Sequence, residues 1–95
     1  MIPHQGIPLD IPRIQAASEL LSQISPDAQL IQLQNLCENN GIWTVPDDHS
    51  RYSPVLFEVS LFGVPAIADT AEDLPRNWLR AAGNILKDQP QGSGL

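Results

Sequence analysis

The chain has 95 residues, 42% apolar and 17% charged, enough for one small core and too few for two. Eleven acidic residues against five basic ones give a formal charge of -6. That balance argues against the broad basic face with which nucleic-acid readers displace counterions. One cysteine, Cys37, rules out an internal disulfide and a cysteine-based metal cluster.

Residues 1–9 are broken by Pro3, Gly6 and Pro8 and are expected to be extended. His4 has no second ligand nearby and is read as a solvated side chain rather than a ligand or pH switch. Asp10 is a good N-cap and Pro12 suits a first turn, so the spacing of Ile14, Ala17, Leu21 and Ile24 predicts a first helix from about Ile11 to Gln23. Its other side is polar: Gln15, Ser18, Glu19 and Ser22.

Ser25, Pro26 and Asp27 restart a helix as cap, first residue and dipole partner. Leu30, Leu33 and Cys37 predict its inner face, with Ile31 or Leu36 on the flank, and Asn39-Asn40-Gly41 is expected to end it through a glycine of positive φ. Cys37 lies on the apolar side without a basic neighbour in sequence, which reads as an inert thiol.

Ile42 to Val45 is a short strand-like run, and 46–54 is a polar loop. Asp47, Asp48 and His49 in that loop read as self-capping rather than as a metal or acid–base site. Val55, Phe57, Val59 and Leu61 then alternate with Leu56, Glu58, Ser60 and Phe62, the period of a half-buried strand. Gly63 turns the chain into a second strand, Val64 to Asp69, where Pro65 requires either an edge strand or a place among the strand's first residues. Leu74, Trp78, Ala81, Ala82 and Ile85 mark a closing helix. Asp73 is its expected cap because Pro75 belongs in a first turn, and Thr70 is the competing cap. Residues 88–95 carry no apolar pattern and are expected to fray.

From Pro26 onward this order is α-β-β-β-α, and the segment from Ser25 to Leu86 resembles a double-stranded RNA-binding domain (dsRBD). The residues that carry the resemblance are Pro26, the strand Phe57-Glu58-Val59-Ser60-Leu61 with Gly63 behind it, Ala81-Ala82, and Ile85-Leu86. It implies an α+β fold with a three-stranded antiparallel sheet packed on helices. Residues 26–87 would form the domain, 10–25 an extra N-terminal helix, and 1–9 and 88–95 flexible ends. It further implies duplex contacts at Gln32, Gln34, Asn35 and Glu38 on the domain's first helix, at His49 and Arg51 in the loop, and at Arg76 and Arg80 on the last helix. Where that family has a lysine pair, this chain has Glu72-Asp73-Leu74-Pro75-Arg76.

The phrases Phe57-Glu58-Val59-Ser60, Ala68 to Leu74 and Asn77-Trp78 with Ala81-Ala82 also resemble the C-terminal half of HicB-type antitoxins. That likeness implies an acidic surface covering a basic toxin. The helices before the sheet fit it less well.

The residues themselves show no Gly-rich phosphate loop, nucleophile elbow or ligand cluster, so no catalysis, cofactor, metal or small-molecule substrate is expected. The reading is a dsRBD-like adaptor in an RNA-related process, with duplex-RNA binding weak or absent; a genuine duplex reader is the alternative. Its partner would be another protein or a second copy, met through the extra N-terminal helix (Gln15, Ser18, Glu19 and Ser22), through an exposed edge strand, or through the outer sheet face (Leu56 and Phe62). No apolar run reaches the roughly eighteen residues of a membrane span, and the first residues lack the order of a secretory signal. The expected location is intracellular, cytoplasmic or nuclear.

Overall fold

A computed structural model describes residues 9–48 and 56–89; the expectations for His4, His49, Arg51 and the last six residues lie outside them. Helix α1 is Ile11–Ser22. Asp10 caps it by accepting the Arg13 backbone N–H at 3.3 Å, and Ile14, Ala17 and Leu21 are its buried residues. Helix α2 is Pro26–Asn40, capped by the Ser25 hydroxyl, which accepts the Ala28 N–H at 3.4 Å. Leu33 and Cys37 are fully buried on α2, while Ile31 is 63% exposed; Leu36, not Ile31, completes the inner face. Gln29 on α2 donates to the Leu21 carbonyl at 2.7 Å and ties the two helices together.

The chain passes directly from α2 into strand β1, Gly41–Trp43, one residue earlier and shorter than the Ile42 to Val45 expected. Gly41 is needed for a different reason from the one its sequence suggested. Its φ is -157°, ordinary extended backbone, but a Cβ there would lie 2.0 Å from the Ser60 carbonyl oxygen. The glycine lets two backbones approach.

Strands β2 (Phe57–Leu61) and β3 (Val64–Ala68) complete an antiparallel sheet in the order β1-β2-β3. Phe62 and Gly63 have φ of 55° and 85° and join Leu61 to its partner Val64, the two-residue turn whose twist matches paired strands. Phe62 was expected on the outward side of the strand with Leu56; it sits instead in the turn, half-buried against the core. Val55 lies outside the described residues, and from Leu56 to Leu61 the alternation is as the sequence predicts. Phe57, Val59 and Leu61 point inward with Val64, Ala66 and Ala68, and Glu58 and Ile67 point out.

A 3-10 turn, Ala71–Asp73, leads into helix α3, Leu74–Lys87. Asp73 has helical dihedrals and makes no side-chain cap. Its backbone N–H donates to the Thr70 carbonyl at 3.2 Å, and its carboxylate accepts the Thr70 hydroxyl at 2.9 Å. Neither expected cap holds a backbone N–H with its side chain; the two side chains bond each other across the 3-10 turn, and Pro75 stays in the first turn of α3. Leu74, Trp78 and Ala82 are completely buried.

The architecture is α+β, with three helices and a three-stranded antiparallel sheet packed on them. Residues of α1 share one core with α2, the inner sheet face and α3, so the first helix is part of the body rather than an arm. Gly83, exposed on α3, has nothing within 4 Å of a Cβ position. Gly83→Ala is therefore expected to raise stability by about 1 kcal/mol through helix propensity, read as a higher urea midpoint with an unchanged slope.

Candidate functional site

The duplex-contact residues expected on α2 are Gln32, Gln34, Asn35 and Glu38. Asn35 and Glu38 are exposed, and Gln32 and Gln34 are half-buried. Gln34 donates to the Glu38 carboxylate at 3.0 Å, so two of the four engage each other. On α3, Arg76 forms an ion pair with Asp73 at 3.1 Å. Arg13 is likewise held by Asp10, at 3.6 Å. Arg80 and Lys87 are exposed and make no ion pair among the described residues. Exposed pairs like these are individually weak, yet each places a carboxylate beside a cation that a phosphate would need.

Of the protein-contact candidates on α1, Gln15, Glu19 and Ser22 are exposed. Ser18 is half-buried, with its hydroxyl oxygen buried and without a partner among the described residues, while its carbonyl accepts the Ser22 hydroxyl. Ser18 and Ser22 are thus turned partly to their own helix. Leu56 stands just ahead of β2 and is 70% exposed.

The sheet's outer face gathers more exposed apolar surface than the sequence singled out. Ile42 is 55% exposed and Ile67 is 49% exposed. Strand register sets Ile42 beside Ser60 and Ser60 beside Pro65, with Glu58 beside Ile67 in the next outward row. The Thr44 hydroxyl donates to the Glu58 carbonyl at 3.0 Å and extends that row beyond β1. The signal was present in sequence: once Val64, Ala66 and Ala68 are placed inward, period two places Ile67 outward.

Two hollows flank this face and share Ile42 and Ser60. One, of about 480 Å³, lies between the end of α2 and the β2–β3 turn, where Glu38, Asp10 and the paired Arg13 meet Phe62. The other, of about 240 Å³, runs along Thr44, Glu58 and Val59. Glu38 and Phe62, expected to serve different partners, line the same hollow. Gln34 lines a third hollow with Trp43 and Asp47, and Arg76 and Arg80 line none of these three.

The outer edge of β3 is closed to strand addition. Pro65 has no N–H to offer, and the Ile67 carbonyl already accepts the Asn77 side chain at 2.8 Å. The sheet therefore presents a face rather than that edge.

Cys37 is fully buried. Burial, and secondarily the Glu38 charge, push its thiol from 9.0 up to about 12. The native thiol is expected to resist alkylation at pH 8, reacting only as fast as the protein opens. The raised folded value also sets a sign: this contribution to stability is intact below about pH 9 and is lost as pH climbs toward about 12. A Cys37→Ala variant titrated beside the parent isolates it as the difference in slope above about pH 9.

Among the described residues no group of three or more His, Cys, Asp and Glu side chains is placed to hold a metal, and no helix is long and apolar enough to cross a membrane. Compared with known proteins, the chain matches no family model, no curated protein and no solved structure.

Proposed function

We propose that the chain is a non-catalytic protein-interaction module of dsRBD-like fold, acting as an adaptor in an RNA-related process, with duplex-RNA binding weak or absent. The order α2, β1, β2, β3, α3 with both helices on one side of an antiparallel meander supports that fold. The observation that carries the functional half is the state of the cations. Of the four basic residues described, Arg13 and Arg76 are paired with carboxylates, and α3 begins behind Glu72 and Asp73. A duplex reader needs several unpaired cations aimed at phosphates across a groove.

The test is a titration of a labelled RNA duplex of about 20 base pairs, long enough for the roughly 16 such a domain spans, at low and near-physiological salt. No saturation at low salt is the expected result. Micromolar binding that weakens steeply with salt would make the protein an RNA reader and overturn the proposal.

A further inference from the structure

We infer that the outer sheet face, from Glu38 across Ile42 to Glu58 and Ile67, is the docking surface for a basic, aliphatic-bearing segment of a partner protein. The inference rests on the protein-interaction reading above and adds the surface and the chemistry of what it takes.

Three observations converge. The face is apolar where a folded chain has least reason to be: Ile42, Leu56 and Ile67 are 55%, 70% and 49% exposed, and the first and last stand on the two edge strands, either side of β2. Clustered apolar surface rimmed by polar groups marks interaction sites. Among the described residues its unpaired charges are of one sign. Glu58 is exposed with no side-chain partner among the described residues, and Glu38 lines the adjoining hollow. Among the described residues the only cation lining either hollow is Arg13, which Asp10 already holds. The larger hollow also lies at the C-terminal end of α2, which has no basic residue in its last turn, so the helix dipole adds to the pull on a cation. The two hollows join at Ile42 and Ser60. A segment crossing them can set one lysine or arginine at Glu38 and another at Glu58, with one aliphatic side chain on Ile42 between them and another on Ile67, beyond Glu58 on β3.

A second copy of the chain is a poor occupant. Twofold packing of this face on itself would bring two like-charged acidic surfaces together, and each copy carries -6.

The probe is a short synthetic peptide in which lysine and valine alternate, titrated at low salt against the parent and two doubly substituted proteins. Saturable binding is expected, weakened at least about 10-fold by Glu38→Gln with Glu58→Gln, as for loss of two interfacial charge pairs. Asp27→Asn with Glu72→Gln removes the same charge from exposed sites off this face and should weaken binding less than about 2-fold. Circular dichroism confirms that both variants are folded. A peptide with serine in place of valine should bind more weakly than the parent peptide. Equal loss from the two double variants would reduce the effect to net charge and overturn the inference, as would equal binding of the serine peptide. A mass that doubles on concentration, with this face protected, would give the site to a second copy instead. None of these outcomes touches the RNA titration, so the choice of surface and the protein-binding reading fail separately.

Discussion

Replacing Trp78 with alanine is expected to remove about 3–5 kcal/mol of stability, a large part of what holds a domain of this size together. Trp78 lies on α3 and is fully buried in the core shared by all three helices and the sheet. A buried indole removes roughly 200 Å² from water, worth about 5 kcal/mol at about 25 cal/mol per Å² as an upper figure. Part of that is offset, because the indole Nε1 is buried with no hydrogen-bond acceptor among the described residues, a cost of about 1–3 kcal/mol. The same detail separates two variants. Trp78→Phe keeps most of the apolar volume and deletes the unsatisfied N–H, so it should cost far less than Trp78→Ala. Urea unfolding of the two proteins checks this, and a phenylalanine variant as unstable as the alanine one would mean that the N–H has a partner.

Gly41→Ala is expected to be nearly as damaging, although it adds only a methyl group at an exposed residue. The new Cβ would stand 2.0 Å from the Ser60 oxygen and 3.0 Å from the Ser60 carbonyl carbon. Both are backbone atoms of the central strand, so no side chain can swing away. Gly41 pairs with Leu61, whose side chain is fully buried, and separating them would open the sheet where β1 leaves α2. A loss of about 3 kcal/mol or more is expected, against the gain expected from the same substitution at Gly83. Two glycine-to-alanine changes of opposite sign make the comparison independent of how either variant alters the unfolded chain. A neutral Gly41→Ala would place β1 in a different register.

Much of this fold is legible in the residues alone. Asp10, Ser25 and Pro26 marked helix starts because capping is local chemistry, decided within three residues. The alternation of Phe57, Val59 and Leu61 fixed the inward side of β2 because side-chain period follows from backbone geometry alone. What escaped depends on contacts between distant residues. Gly41 reads in sequence as a left-handed helix stop, since nothing near it shows that Ser60 will arrive against it. Simple continuation of the alternation places Phe62 outward; the turn that sets it at φ 55° interrupts the period. The candidate site was less legible than the fold. The resemblance distributed contact residues over α2, the loop and α3, but Arg76 is tied to Asp73, and Glu38 joins Phe62 in one hollow beside the sheet. Ile42 and Ile67 were missed because one exposed isoleucine is unremarkable in a sequence. Their placement around Glu58 appears only when three strands are set side by side.

The claim that the outer sheet face is open can be measured directly by solvent paramagnetic relaxation of methyl groups, using a soluble gadolinium chelate. The methyls of Ile42, Leu56 and Ile67 should relax strongly, while those of Ile14, Leu21, Val59 and Leu61, which are at most 1% exposed, should be nearly unaffected. Protection of Ile42 and Ile67 at a level matching Val59 would mean that the face is already covered in the free protein, which would contradict this account.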